Sequence, residues 1–259
     1  MKINKYIIGL GLTFSFLFAG CDSFLDPEKD GKLGEDDIWN ETRRAFGFMN
    51  DAYNKLPSGY NRIDNAMLAA GCDEAVHSDV TSDIKGFNNG TWDSYFLVEN
   101  VWTKYYEGIR IVNRFLEKID ELKMPVKPTT SGTNEELVRT RERMKGEAHF
   151  LRAYFYFELI KRYGGVPLIT IPQEMTDDLY VKRNSTKECF DFIIDELKAC
   201  AEGLPDSYSA EDLGRVTKGA AKAFLGRVFL FRASPQFNPN NNNEHWQTAY
   251  NYNKETLNY

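Results

Sequence analysis

The order of apolar and polar positions along the chain predicts a protein built almost entirely of helices. From residue 38 onward, apolar side chains recur at intervals of three and four, the spacing that places them on one face of a helix. Two stripes are the clearest: Val101, Tyr105, Ile109, Val112, Leu116 and Ile119 within 98–122, and Met144, Ala148, Leu151, Phe155 and Leu159 within 135–163. Only VPLITI, residues 166–171, has the pattern of an extended segment.

Capping and turn residues limit further helices. Ser185 and Glu188 form a capping box that opens a helix ending near Gly203. Thr217 can cap another helix, which runs to Ala233 before a proline. The remaining predicted elements are a helix within 39–53, a polar loop at 77–94, a loop at 125–133, and a last helical face formed by Trp246, Tyr250, Asn253 and Leu257.

Internal similarity indicates how these helices are arranged. KGEA at 145–148 and KGAA at 218–221 lie 73 residues apart, and half of that spacing is near the roughly 34-residue period of tetratricopeptide helix pairs. The helix that begins with KGAA has a small-residue face that permits close pairing, consisting of Gly219, Ala220, Ala223 and Gly226. We therefore predict an all-α fold, a tetratricopeptide-like stack of antiparallel helix pairs with long loops. The last helix reaches Tyr259 without a stop signal or covering partner, so we expect the C-terminal portion of the stack to be missing.

The N-terminus has the features of an export signal. Lys2 and Lys5 precede fifteen uncharged residues, 6–20, too few for the roughly 20 that span a bilayer. The sequence LFAGC, which ends at Cys21, resembles a bacterial lipobox. We interpret residues 1–20 as a lipoprotein signal peptide, Cys21 as the lipidation site and residues 21–37 as an acidic tether. Ordinary secretion, with Cys21 as an unmodified residue, is the alternative.

Composition and charge exclude some classes of function. The net charge of −6 and the absence of a basic stripe argue against nucleic-acid binding, which requires Lys and Arg to neutralise phosphates. Besides Cys21, the chain has three cysteines at irregular spacing, which is not a disulfide framework. Cys189 and Cys200 lie on one predicted helix about 16 Å apart, so we expect free, mostly buried thiols.

The chain lacks the sequence motifs of common catalytic centres. Its three histidines are scattered over different predicted elements, and His149 is expected to be structural. The acids near His77 lack the glycine and terminal glutamate of a calcium loop. We predict no catalytic residue, cofactor or metal site. Carboxylate pairs that hydrolyse glycosides meet only in the fold, so a glycan-cleaving surface enzyme is one alternative; a helical-repeat scaffold that binds only protein is the other.

One loop has the chemistry that sugar binding needs. Flat aromatic faces can lie against the C–H surface of a sugar ring, and amides can pair with its hydroxyls. GFNNGTWDSYF, residues 86–96, combines both, and we predict Trp92 as the stacking platform with Asn88, Asn89 and Tyr95 as further contacts. The alternative is that Trp92 packs under its own loop. In the loop at 235–246, Phe237 and Trp246 are expected to pack rather than bind.

The stretch GEAHFLRAYFYFELIKRYGGVPLI, residues 146–169, resembles the signature of the SusD/RagB family of nutrient-binding outer-membrane lipoproteins. Three further stretches agree in order: CDSFLD, VWTKYYEGIRIVNRFLEKI and GRVTKGAAKAFLGRVFLFRASP. The chain departs from the family pattern at two places. His149 lies within the signature, and the acidic residues of the tether are dispersed. The second departure weakens the match to the signal for export to the cell surface. Family members are longer, so residues 38–259 correspond to the N-terminal part of the helical-repeat domain.

The resemblance implies a function and a location. It implies non-catalytic binding of a nutrient, such as an oligosaccharide, by a protein held on the outer membrane through its lipid and facing the cell exterior. It also implies delivery of that ligand to a SusC-like, TonB-dependent transporter as the protein partner.

Overall fold

The computed structural model of the protein describes residues 38–40, 42–122 and 134–258. The predicted signal peptide, Cys21, the tether at 21–37 and the loop at 125–133 lie outside these residues. Residues from Ile38 onward form one compact unit. Its described part contains seven α-helices: α1 Thr42–Tyr53, α2 Lys85–Asn89, α3 Trp102–Lys118, α4 Asn134–Tyr163, α5 Thr186–Gly203, α6 Lys218–Ala233 and α7 Asn243–Glu255.

The long helices pack in the order in which they follow one another. Helix α1 packs on α3, α3 on α4, α4 on α5, α5 on α6, and α6 on α7. No residue in the described ranges belongs to a β-strand, and an isolated bridge joins Ile63 to Ala66. The all-α, tetratricopeptide-like prediction is confirmed.

The predicted apolar stripes form the core between the helices. Of the α3 stripe, Tyr105, Ile109 and Val112 are fully buried, and the α4 stripe is buried throughout. Tyr105 stacks on Phe155 with ring centroids 5.5 Å apart. A β-carbon added at Gly108 would lie 2.6 Å from that Phe155 ring, so the missing side chain lets α3 approach α4. The apolar stripe predicted within 135–163 is therefore part of the core, as expected.

The predicted caps are present. The Ser185 side chain accepts a hydrogen bond from the backbone of Glu188, and the Glu188 carboxylate accepts one in return. The Thr217 hydroxyl accepts from the Ala220 backbone at the start of α6. Helix α4 ends at Gly164, whose φ of +70° is the left-handed conformation that glycine adopts without strain. Local sequence therefore determined where these helices begin and end.

Residues 166–170 belong to neither a helix nor a strand, and Asn113 donates to the Ile169 carbonyl at 2.8 Å. Two local predictions were wrong in detail. The loop at 77–94 contains the short helix α2. Of the predicted last helical face, Tyr250 on α7 and Leu257 beyond its end are exposed, while Ala249 of α7 is buried against α6.

Pairing of α6 with α7 uses only part of the predicted small-residue face. A β-carbon at Gly226 would lie 2.8 Å from the Asn253 side chain, so the two helices are in close contact there. Ala220 and Ala223, in contrast, are exposed to solvent. The close pairing therefore depends on one glycine rather than on the whole face.

Helix α4 also carries buried charged side chains, and one of them pairs with α5. Arg152 forms a bidentate ion pair with Glu196 of α5, at 2.7 and 2.8 Å. His149 lies 3.1 Å from the same carboxylate, in accordance with its predicted structural role. These contacts link α4 to α5 in addition to their apolar packing.

Candidate functional site

The loop predicted to bind sugar is held by its own hydrogen bonds. Gly90 caps the C-terminal end of helix α2, with a φ of +64° and an N–H that donates to the Gly86 carbonyl. Beyond it, one oxygen of Asp93 accepts from the backbone N–H groups of Tyr95 and Phe96, at 2.7 and 2.8 Å. Such a side-chain turn fixes the chain locally. The hydrogen bonds of these N–H groups lower the pKa of the Asp93 carboxyl below its usual value.

The loop holds Trp92 against a second aromatic ring and leaves much of it in solvent. Its side chain is 54% exposed and meets Phe87 edge-on, with centroids 6.0 Å apart and planes at 67°. Phe87 rests on Gly71, where an added β-carbon would lie 2.9 Å from the ring. Trp92 is therefore a supported aromatic surface and is not a core residue under its own loop.

Trp92 and Phe87 form one side of an open cleft of about 290 Å³. The cleft runs between the loop and the C-terminal end of α4. Its lining residues are Phe87, Trp92, Leu97, Val98, Glu99, Lys161, Arg162 and Tyr163. Beneath the loop, a small apolar cluster of Ile63, Ala66, Ala70, Ile84 and Val98 packs separately from the main core. This cluster gives the loop its own support.

A network of charges forms the polar side of the cleft. Arg62 donates to both oxygens of Glu99, at 2.5 and 3.1 Å, and Arg162 also donates to this carboxylate. Glu158 accepts from Lys161 and from Arg162, both at 2.7 Å. Burial would raise the pKa values of the Glu99 and Glu158 carboxyls, but these cations lower them below their usual range. Both carboxylates are therefore held ionised and fully paired.

Tyr163 connects the end of α4 to the residues that directly precede α3. Its hydroxyl accepts from the Val101 N–H and donates to the Asn100 side chain, both at 3.1 Å. Its ring meets Trp102 edge-on at 5.2 Å. The end of α4, which carries Lys161 and Arg162, is thereby fixed beside the loop.

The other predicted contact residues lie around the cleft rather than in its lining. Asn88 is exposed, and its side-chain N–H₂ donates to the Cys72 carbonyl at 2.9 Å, which leaves the amide oxygen available. Asn89 ends α2 and is exposed, and Tyr95 is 97% exposed on the far part of the turn. The structure brings Trp92 into the cleft and leaves these three at its margin.

Sequence reasoning missed the cationic residues of the cleft. Lys161 and Arg162 lie in the last turn of α4 and read as ordinary C-terminal helix residues that complement the helix dipole. The sequence feature that could have drawn attention to Lys161 and Arg162 is their position just before Gly164-Gly165, where the helix must end. Their proximity to Trp92, however, depends on how α4 packs.

Other positions considered in the sequence analysis show less evidence of a binding site. Phe237 packs edge-on against Phe190 at 5.0 Å, and the Trp246 indole N–H donates to the Asn241 side chain at 2.9 Å, so both are engaged as expected. In the described ranges, no group of three or more His, Cys, Asp or Glu side chains could hold a metal ion. Cys189 and Cys200 are buried and form no disulfide. No helix among the described residues is long and apolar enough to span a membrane.

A second cleft of about 280 Å³ lies between α3 and residues 169–173. Two of its polar side chains are already bonded to the protein: Asn113 donates to the Ile169 carbonyl and Arg110 donates to the Gln173 carbonyl at 3.1 Å. It offers no exposed tryptophan, so the cleft at Trp92 is the better candidate site.

Comparison with known proteins gives consistent results. The chain is 25% identical to a SusD-like protein of Bacteroides ovatus over 240 residues, which are 90% of this chain and 40% of that one. A solved SusD-like protein from Bacteroides fragilis is 32% identical, with a TM-score of 0.60 over 82% of this chain and 39% of that one. A laminarin-binding SusD-like protein is 28% identical, with a TM-score of 0.61 over 76% of this chain and 41% of that one.

The chain thus spans about two fifths of the length of these relatives. The family model described as "Starch-binding associating with outer membrane" matches residues 23–230, which include the loop, the cleft and helices α1 to α5. With its helical stack and most of its length matched, this chain belongs to the SusD-like family of proteins associated with the outer membrane.

Proposed function

We propose that this protein binds a glycan at the cell surface without cleaving it, with Trp92 as the stacking platform. The observation that carries this proposal is the exposed indole of Trp92, supported by Phe87, at the edge of an open cleft. An indole face can cover the C–H side of a sugar ring, and the nearby amides of Asn88 and Asn89 can bond to hydroxyls.

The state of the carboxylates favours binding over hydrolysis. Glycoside hydrolysis requires one carboxyl with a raised pKa as general acid and a second one facing it across the bond. Among the described residues that line the cleft, Glu99 alone carries a carboxyl. Its pKa is lowered and both of its oxygens are bonded to arginines. It therefore has neither the proton nor the free position of a general acid.

The likeness to a laminarin-binding SusD-like protein supports a carbohydrate as the ligand class. We further propose that residues 1–20 are removed as a signal peptide, that Cys21 is lipidated on the outer membrane, and that residues 21–37 tether residues 38–259 outside the cell. In this position the protein would deliver its ligand to a SusC-like, TonB-dependent transporter. Confinement to the membrane raises the effective concentration of the ligand near that transporter, so a Kd of about 1 mM, or ~−4 kcal/mol, is sufficient.

A glycan panel tests binding against cleavage. We expect the full chain to be retarded by at least one immobilised polysaccharide in affinity electrophoresis, with no new reducing ends after prolonged incubation. Product formation would contradict the non-catalytic proposal and favour an enzyme. Absence of both binding and cleavage over the whole panel would contradict glycan recognition and favour a scaffold that binds protein.

Lipidation is tested by replacing Cys21. The variant Cys21→Ser is expected to move from the membrane fraction to the soluble fraction, because stable attachment requires acyl chains that serine does not receive. Cys72→Ser is the matched control, since Cys72 is an exposed free thiol elsewhere in the chain, and it should remain with the membrane. Equal partitioning of the two variants would argue against the anchor, and protease treatment of intact cells tests the outward orientation.

A further inference from the structure

The charge around the Trp92 cleft is opposite in sign to that of the whole chain. The chain has a net charge of −6. Two cations, Lys161 and Arg162, and one carboxylate, Glu99, line the cleft. The side chains bonded to this lining add further charges: Arg62 on Glu99, Glu158 on Lys161 and Arg162, and Arg183, which donates to the Tyr163 carbonyl at 3.0 Å. The four cations exceed the two carboxylates by two charges.

The nearest additional carboxylate does not reverse this balance. Asp93 follows Trp92, but its charge is directed at the backbone N–H groups of Tyr95 and Phe96. Adding it to the count still leaves one net positive charge. An acidic protein therefore presents a locally positive recognition surface.

The cations of the cleft have different roles. The arginines are immobilised, because Arg62 and Arg162 share Glu99 and both reach Glu158. They supply a fixed positive field. Lys161 has three N–H donors, and the contacts of the described residues use one of them, to Glu158 at 2.7 Å. Its side chain is 29% exposed in the cleft, so it can donate to a ligand.

We propose that the bound glycan is anionic, with a uronate carboxylate or a sulfate held by Lys161 while a sugar ring stacks on Trp92. This inference rests on the proposed function and narrows its ligand class. A neutral sugar could stack on Trp92 equally well, but it would leave the excess positive charge of the cleft without a counter-charge. An anionic group at this position forms a charge-assisted hydrogen bond, which is stronger than a neutral one.

The test compares anionic glycans with neutral glycans of related backbone. Polygalacturonate and its fully methyl-esterified form share a backbone, and the ester removes the charge of the carboxylate. Carrageenan and agarose oligosaccharides are both galactans; carrageenan carries sulfate, and the two also differ in the configuration of their anhydrogalactose. Alginate adds a second uronate backbone, and laminarin and starch serve as neutral glucans. We expect the tightest ligand of the full chain to be anionic, with a preference of at least about tenfold over its neutral counterpart, which corresponds to about 1.4 kcal/mol.

Two further measurements identify the contact. Raising the salt concentration from 50 to 500 mM should weaken binding of the anionic glycan, because salt screens partly exposed charges. Lys161→Gln should reduce that preference by about tenfold or more. Lys187→Gln is the control, because it removes the same charge from a 76%-exposed lysine of α5 outside the cleft, and it should bind as the parent does.

The outcomes separate this inference from the proposed function. Salt-insensitive binding with a neutral glycan as the tightest ligand would overturn the anionic assignment and leave glycan binding standing. Unchanged anionic preference in Lys161→Gln would also overturn it. Failure of every glycan to bind would overturn the proposed function itself.

Discussion

Replacing Glu147 with alanine is expected to lower the free energy of unfolding by about 3–5 kcal/mol, because it removes a buried carboxylate that pairs with Arg215 and accepts hydrogen bonds from two tyrosines. The Glu147 side chain is fully buried. Arg215 donates to it at 2.8 Å, and the Tyr53 hydroxyl donates at 2.9 Å. The Tyr208 hydroxyl lies 3.3 Å from its other oxygen. One carboxylate of α4 thus connects α1 with the segment that precedes α6.

The charge of Glu147 shifts the pKa values of the side chains bonded to it. Burial, followed by the charge of Glu147, raises the pKa of the Tyr53 hydroxyl far above its usual value. Burial opposes the charge on Arg215, but Glu147 and Asp212 raise the pKa of its guanidinium above the usual value. Without Glu147, Arg215 would keep its contacts with Asp212, the Asn50 side chain and the rings of Phe46 and Tyr53, but it would lose its fully buried carboxylate partner.

Urea denaturation followed by circular dichroism measures the effect. With a slope of about 3 kcal/mol per molar urea, the midpoint should fall by about 1 M or more. Glu142→Ala is the control, because this residue is on the same helix with 57% of its side chain exposed, and it should change stability by less than about 0.5 kcal/mol. Glu147→Gln should lose less than Glu147→Ala, since the amide oxygen still accepts from Tyr53. Equal midpoints for Glu147→Ala and Glu142→Ala would show that the buried cluster contributes nothing.

Replacing Trp92 with alanine is expected to weaken glycan binding by roughly 30-fold, or about 2 kcal/mol, as loss of an anchoring tryptophan commonly does. At millimolar affinity a loss of this size abolishes measurable binding. Since the Trp92 side chain is 54% exposed and its loop is held by Gly90 and Asp93, the variant should fold with an unchanged helical spectrum.

Affinity electrophoresis on the best ligand of the panel measures the loss. Tyr250→Ala is the control, because Tyr250 is equally exposed at 57% but belongs to α7 and does not line the cleft. Trp92→Phe should retain part of the affinity through its smaller face. Normal binding by Trp92→Ala would show that the loop is not the recognition surface, and unfolding of this variant would show that the indole is structural.

The sequence by itself identified the helices and the aromatic loop. Ser185 and Thr217 predicted helix starts correctly because caps bond within three residues of themselves. The stripe of α4 predicted its buried face because helical periodicity is a local property. The composition of residues 86–96 singled out Trp92, although it could not determine whether the ring would be exposed.

Tertiary structure alone decided which residues meet. Arg62 and Glu158 are 96 residues apart, yet they belong to one charge network. Trp92 and Lys161 line the same cleft because α4 packs against α3 and Tyr163 bonds to Asn100 at the start of that helix. The segment 166–171 is held in the same way, since the backbone of Ile169 bonds to the side chains of Asn113 and Tyr156 on neighbouring helices. Periodicity and capping act over a few residues, whereas a binding cleft depends on contacts between segments that only the packing of the whole chain brings together.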